Sequence, residues 1–222
     1  MKVEGPAPGE ELNLGAPTTP RQAASVIVLR GGGDALEVLL LRRNPAARFM
    51  GGAWVFPGGA VDAGDVAEGG TDLLDDAAHR AAAVREVAEE AGLALLDPAA
   101  LIKFSRWITP AEITIRFDTH FFLAHAPADQ EARADGEEMV DLAWHTPSGA
   151  LDAGRRGELE LVFPTIKHLE QLAPFTSADA LLEWATGREV VAVEPRVRIT
   201  GETARVLLPG EPGYLDVAEG EA

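Results

Sequence analysis

The sequence predicts an α/β fold, and three observations carry that expectation. Short apolar, β-branched runs alternate with helix-length segments through residues 23–208 without a second composition regime. The 222 residues are 46% hydrophobic, enough chain for a sizeable core. One long stretch, 71–91, reads at helical period and stops at a glycine. The expected organisation is a flexible arm over 1–20, one domain with a C-terminal extension over 21–208, and an acidic tail over 209–222.

Pro6, Pro8, Pro17 and Pro20 with three glycines give the first twenty residues the composition of an extended arm. Residues 23–30 and 36–41 are apolar and β-branched around the turn Gly31-Gly32-Gly33-Asp34, which predicts a hairpin of buried strands. A Gly/Pro/aromatic stretch follows, ending Trp54-Val55-Phe56-Pro57-Gly58-Gly59, and 62–70 is an acidic, glycine-rich loop. Thr71 is a fitting N-cap for a helix to Ala91, with Gly92 as a left-handed stop. Beyond Pro98, residues 101–108, 113–124 and 139–144 read as strands. Helix start signals open 165–173 and 177–186, and 189–193, 196–199 and 203–208 are strand-like.

Charge and composition exclude several functions. Nineteen Lys and Arg against 36 Asp and Glu set the net charge at −17, a field that repels nucleic-acid backbones. With no cysteine there is no disulfide, thiolate metal site or cysteine nucleophile, which fits a reducing compartment. MKVEGPAPGEELNLGAP has no apolar signal core and no run approaches a membrane span, so the expectation is a soluble, cytoplasmic protein without membrane or nucleic-acid partners. Neither a G-x-S-x-G elbow nor a phosphate-binding G-x-x-x-x-G-K loop is present.

The segment that carries chemistry is the helix over 71–91. At about 100° per residue, with Glu86 at zero, Glu90 falls near +40° and Glu89 near −60°, so three carboxylates share one face. Leu73, Ala77, Val84, Ala88 and Ala91 fall opposite, which predicts an apolar stripe packed inward and the acids turned outward. Arg85 lies one turn before Glu89, placed to orient it. Such a trio suits a hard divalent cation such as Mg²⁺ or Mn²⁺, which takes oxygen ligands and bridges substrate phosphates. A solvated acidic face is the alternative that the string alone leaves open.

Arg85-Glu86-Val87-Ala88-Glu89-Glu90-Ala91-Gly92-Leu93 resembles the second half of the Nudix hydrolase box, G-x5-E-x7-R-E-U-x-E-E-x-G-U, where U is a bulky aliphatic residue. The first half stands as Gly59-x5-Asp65, with Asp for the family Glu. Nineteen residues separate Asp65 from Arg85 where the pattern has seven, an insertion of twelve, so whether the two still meet is open. Leu39-Leu40-Leu41-Arg42-Arg43, Arg48, Gly52 and Phe56-Pro57-Gly58-Gly59 resemble the signature preceding the box in coenzyme A diphosphatases; Leu41 and Asn44 depart from it. Trp107-Ile108-Thr109-Pro110 with Arg116 to Phe122 is similar to a peroxisomal branch whose box is also lengthened.

The resemblance implies an α/β/α sandwich around a mixed sheet and metal-assisted attack of water on a nucleoside diphosphate linked to a group X. It implies Glu86, Glu89 and Glu90 as ligands of Mg²⁺ or Mn²⁺, with the Gly58–Gly59 turn bringing backbone, Gly59 in particular, to the metal, and Arg85 orienting the carboxylates. Glu137 and Glu138, before the 139–144 run, are candidates for the general base beside the box glutamates. Arg43, Arg48 and Arg116, with Arg42 and Arg106, are candidate substrate contacts against ordinary surface pairing, and Trp54, Phe104 and Trp107 are candidate stacking groups against ordinary core. His79, on the glutamate side of the wheel, is read as a bystander. Coenzyme A or an acyl-coenzyme A is the favoured substrate. ADP-ribose, NADH, nucleoside triphosphates and a non-catalytic nucleotide-binding module are the rivals. A basic cluster away from the metal favours coenzyme A, and a dry aromatic slot without one favours ADP-ribose. A homodimer is left open.

Overall fold

The structure, a computed structural model, describes residues 2–4, 12–13, 15–31, 35–66, 73–95, 97–200 and 203–217. Its strands are β1 (Lys2–Glu4), β2 (Arg21–Arg30), β3 (Glu37–Arg43), β4 (Trp54–Val55), β5 (Gly58–Ala60), β6 (Ile102–Ile108), β7 (Phe117–His125), β8 (Met139–His145), β9 (Ala192–Val193), β10 (Arg196–Thr200) and β11 (Thr203–Leu207). Its helices are α1 (Asp76–Ala91), α2 (Pro147–Arg155), α3 (Phe163–Leu172) and α4 (Ala178–Ala185).

A mixed sheet runs β4-β3-β2-β7-β6-β9, with β5 paired to β2 and β8 to β3. β2 lies parallel to β7 from Arg21↔Phe117 to Leu29↔His125, and its other edge is shared between β3 near Leu29 and β5 near Ala24. Alternation along β2 and β7 divides the core. Val26, Val28 and Phe122 face α1, while Ile27, Leu29 and Phe121 face the layer of α2, α3 and α4. The expected α/β/α sandwich is therefore present. A smaller sheet, β1-β11-β10, carries Val197 and Ala204 against Ile113.

Several elements differ from expectation. The N-terminal helix signal lies at Asp75, whose carboxylate accepts from the Ala77 amide, so α1 starts at Asp76; Thr71 lies outside the described residues. Leu73 precedes the helix and is exposed. The central turn residues 32–34 also lie outside the described residues, and only Leu29↔Val38 and Arg30↔Glu37 pair β2 with β3. The run 113–124 becomes a strand only at Phe117, because the Arg116 side chain is drawn into the loop and Ile113 bridges Leu12 instead. α2 was not anticipated, although Thr146 caps it through the Gly149 amide and Pro147 opens its first turn. Within the first twenty residues, Lys2–Glu4 pairs with Thr203–Arg205 as a sheet strand, and the Asn13 amide donates to the Glu112 carbonyl beside the isolated Leu12–Ile113 bridge.

The largest difference concerns which side of α1 is buried. Ala78, His79, Ala82, Ala83, Val87, Glu90 and Ala91 are buried, while Ala77 and Ala88 are exposed. The acids at 86 and 90 are thus on the inward side. Alanines occupy both sides of this helix, so hydropathy barely distinguishes them, and the glycines of β5 make the room that decides the orientation.

Candidate active site

The site forms where the C-terminal half of α1 crosses β5. Paired residues in a ladder point to the same face, so Gly59, Ala24 and His120 share the α1 face of the sheet. A Cβ at Gly59 would overlap the Glu86 carboxylate, which explains glycine there. Gly58, at φ +156, would clash with the backbone of Ala24 and Ser25 if substituted; its amide donates to Glu90 Oε2 at 2.8 Å. The Gly58–Gly59 turn therefore admits one carboxylate beside its backbone and anchors another.

Arg85 ties the cluster together. Its Nε and Nη2 donate to both oxygens of Asp65 at 3.0 and 2.9 Å, and Nη2 also reaches the Ala60 carbonyl at 3.0 Å. Nη1 donates to Glu86 at 2.7 Å and Glu89 at 3.0 Å. Asp65 and Arg85 thus meet as a bidentate pair in spite of the insertion between them, of which residues 67–72 lie outside the described residues. Burial alone would raise the Asp65 carboxyl, but the Arg85 bonds and charge outweigh it and hold the group below the usual range. The same bonds raise Arg85 further above its already high value.

Glu86 and Glu90 are held differently. Burial raises Glu86 in spite of Arg85. Glu90 is 3% exposed, and burial pushes it up to about 8, only partly offset by the Gly58 amide, with the Glu86 and Glu138 charges adding to the rise. Glu89 is exposed apart from its Arg85 bond. Among the described residues no three acidic or histidine side chains converge into a ready-made metal cage. What is present is a hard-oxygen pair, Glu86 and Glu90, against a glycine cradle, with Glu89 one turn from Arg85 at the rim. Two crowded carboxylates, both raised by burial, are the electrostatic setting that a divalent cation relieves, so the donor set fits Mg²⁺ or Mn²⁺.

Of the other candidates, Glu138 and Arg43 come to the rim. Arg43 Nη2 donates to Glu138 at 2.9 Å, and both charges act on Glu90. The Asp135 carboxylate fixes this turn by accepting the amides of Glu137, Glu138 and Met139 at 2.5, 2.7 and 3.0 Å. Glu137 contributes its carbonyl to Asn44 Nδ2. Arg48 is exposed in the loop between β3 and β4, and Arg42 is exposed on β3.

Arg116 requires correction as a substrate contact. It is buried and donates to the carbonyls of Thr109 and Thr18 and to Glu194, at 3.0, 2.7 and 2.8 Å, a clamp between three chain segments. Arg106 is likewise held by both oxygens of Asp118, at 2.8 and 2.6 Å. Trp54 is buried in the core, edge-on to His145, while Phe104 is partly buried, packed against the core and against the exposed Trp184.

Sequence reasoning missed the inward turn of Glu90 and the role of His79. The His79 ring is buried and stacks on His120 at 3.8 Å, bonded to the Asp75 carbonyl and Gln22 at 2.8 and 3.0 Å. It docks the first turns of α1 to β2 and β7. The available signal was a histidine in register with the buried alanines.

Comparison with known proteins agrees with this geometry. A family model described as NUDIX domain matches residues 19–162. The chain is 26% identical to the human acyl-coenzyme A diphosphatase NUDT19, covering 90% of this chain and 82% of that protein. It is also 26% identical to putative nudix hydrolase 7 of Caenorhabditis elegans, covering 88% of this chain and 75% of that protein. A crystal structure of a NUDIX hydrolase from Alicyclobacillus acidocaldarius superposes with a TM-score of 0.66 at 30% identity, covering 75% of this chain and 96% of that one.

Proposed function

The chain belongs to the NUDIX domain family, a hydrolase acting on phosphoric anhydrides, and on that premise we propose that it cleaves the diphosphate of coenzyme A or an acyl-coenzyme A with Mg²⁺ or Mn²⁺ bound at Glu86, Glu89 and Glu90. The observation that carries the proposal is the Arg85 cluster, with Glu90 buried against the Gly58 amide and Glu86 in the Gly59 cradle. Held by these carboxylates, a divalent cation would supply charge neutralisation for the diphosphate and polarisation of the attacking water.

The chain's own residues prepare that chemistry. The Gly58 amide fixes one oxygen of Glu90, leaving the other as a donor. Arg85 locks Glu86 and Glu89 in one arrangement and, through Asp65, holds the loop after β5 against α1. We assign proton acceptance from the attacking water to Glu138, which pairs with Arg43 at the rim, with the box glutamates as alternatives. Arg43, at the end of β3, and Arg48, within the loop that follows it, supply cationic groups for the substrate's negative charge.

Coenzyme A is favoured by the activity for which the human relative is named and by the residues before the box. ADP-ribose is a second reading, favoured by the pairing of Arg43, Arg106 and Arg116 with carboxylates, which leaves no basic cluster assembled among them. The test is product analysis on coenzyme A, hexanoyl-coenzyme A, ADP-ribose, NADH and nucleoside triphosphates, with Mg²⁺, Mn²⁺ or chelator. We expect 3′,5′-ADP from the coenzyme A members, abolished by chelator. Cleavage of ADP-ribose alone would select the second reading, and cleavage indifferent to chelator would reject the metal site.

A further inference from the structure

The Glu137–Glu138 turn at the rim of the site is held more firmly than its exposure requires. Both residues are exposed, so water could serve their backbone groups, yet both amides and both carbonyls bond within the protein. The amides of Glu137 and Glu138 donate to Asp135 Oδ1 at 2.5 and 2.7 Å, and the Met139 amide donates to Oδ2 at 3.0 Å. From the other side, Asn44 Nδ2 donates to the Glu137 carbonyl and the Asn44 amide to the Glu138 carbonyl, both at 2.8 Å. Burial alone would raise the Asp135 carboxyl, but its amide bonds outweigh that and hold it below the usual range.

What this turn carries is Glu138. Its carboxylate accepts from Arg43 Nη2 at 2.9 Å, and its charge is felt by both Glu86 and Glu90. Arg43 is itself fixed, because its Nε donates to the Phe49 carbonyl at 3.2 Å. Glu138 is thus oriented at its tip by Arg43 and at its root by Asp135 and Asn44. Stability alone does not account for this, since hydrogen bonds in an exposed turn replace bonds to water and contribute little net. A proton acceptor, by contrast, gains directly from being held in one geometry. Asn44 Oδ1 also accepts the Ala46 amide at 3.0 Å, so the same side chain fastens the start of the loop that carries Arg48. Both oxygens of Asp135 are in use; an amide in its place would set an N–H against that of Met139.

We propose that Asp135 and Asn44 are positioning residues for the reaction: they act through Glu138, fixing its backbone so that its carboxylate stays beside Glu86 and Glu90 in the geometry that takes a proton from the attacking water. The proposal rests on the assignment of Glu138 above and is independent of the group X. It makes the Arg48 loop and the Glu138 turn one unit, joined at Asn44.

The test uses two measurements on the full chain. In the first, kcat and KM are measured with Mg²⁺, on whichever substrate of the panel above the wild type cleaves, for Glu138→Gln, Asp135→Ala, Asp135→Asn, Asn44→Asp and the double variant Asp135→Ala/Glu138→Gln, with melting curves to establish folding. Glu138→Gln is expected to lower kcat by about 10²-fold or more. Asp135→Ala and Asn44→Asp are expected to lower it by at least about tenfold with KM changed by less than about threefold. Asp135→Asn keeps an oxygen for the Glu137 and Glu138 amides and is expected to lose less than Asp135→Ala. In the Glu138→Gln background, Asp135→Ala is expected to cost nothing further, because the group it acts through is gone. An equal loss in both backgrounds makes Asp135 a structural residue and overturns the proposal. A slow Glu138→Gln beside an Asp135→Ala as fast as wild type overturns it while the Glu138 assignment stands; a Glu138→Gln as fast as wild type removes both. In the second measurement, amide exchange followed by NMR, the Glu137 and Glu138 amides of the wild type are expected to exchange at least about tenfold more slowly than free amides, with that protection lost in Asp135→Ala. Exchange at the free rate in the wild type overturns the proposal even if every variant misfolds.

Discussion

Glu90 occupies the position at which stability and activity are most directly opposed. Its carboxyl is buried beside a second carboxyl, with one backbone amide for support, and burial raises it from an ordinary 4.5 to about 8. A folded-state value above the unfolded one means the neutral acid is the form the metal-free fold tolerates. That contribution is complete below pH 4.5 and is lost as pH rises through 8. In chelator, the melting temperature is therefore expected to fall between pH 5 and pH 8.5, Mg²⁺ or Mn²⁺ to reduce the fall, and Glu90→Gln to flatten it; an identical slope in the variant would contradict the assignment. Gly59→Ala is a second test at this scale. A methyl there meets only the end of the Glu86 side chain, which can move aside, so we expect little change in the urea midpoint but a clear fall in activity as the carboxylate leaves its cradle; unchanged activity would contradict the role of Glu86.

At the scale of elements, α1 is an alanine-faced helix packed close to the sheet, with Ala78, Ala82 and Ala83 fully or nearly buried. Close approach is what brings Glu86 and Glu90 to β5. Ala82→Leu is expected to cost about 1–3 kcal/mol and to lower activity by moving the helix outward; unchanged cleavage in a folded Ala82→Leu protein would show that the spacing is not critical. The box is closed by Asp65 rather than by continuity of chain. Asp65→Asn leaves Arg85 with weaker hold on the loop, and a loss of about 10–100-fold in kcat/KM is expected with little change in melting temperature.

Reading elements from the sequence succeeded where a stop or start signal was chemically specific. Gly92 adopts the left-handed cap at φ 64, and α3 and α4 fall within two residues of expectation. It failed where small residues erased contrast. The burial face of α1 was only partly read, with Ala91 buried as expected but Ala77 and Ala88 exposed, because alanines lie on all sides; α2 was overlooked although Thr146-Pro147 is a start signal of the kind recognised elsewhere. Arg116 was unreadable for another reason. Its partners at Thr18, Thr109 and Glu194 are brought together only by the tertiary fold.

Over the whole molecule, the net charge of −17 divides into parts with different roles. Most acids are exposed and oppose association with polyanions, while Glu86 and Glu90 are turned inward where mutual repulsion favours a bound cation. Among the described residues no helix is long and apolar enough to cross a membrane. The α/β class was legible in the alternation of strands and helices, and the α/β/α layering in the resemblance of the box to the Nudix hydrolases. A cleft lined by Phe49, Trp107 and Phe163 was not, because its walls come from loops, strands and a helix far apart in sequence.

The most direct test of the central claim is kcat/KM for Mg²⁺-dependent cleavage of coenzyme A by wild type and by Glu90→Gln, measured at a temperature where both are folded. We expect the amide, which keeps the size and loses the charge, to lower it by at least ~10²-fold. Equal values for the two proteins would contradict the placement of the catalytic centre at the crossing of α1 and β5.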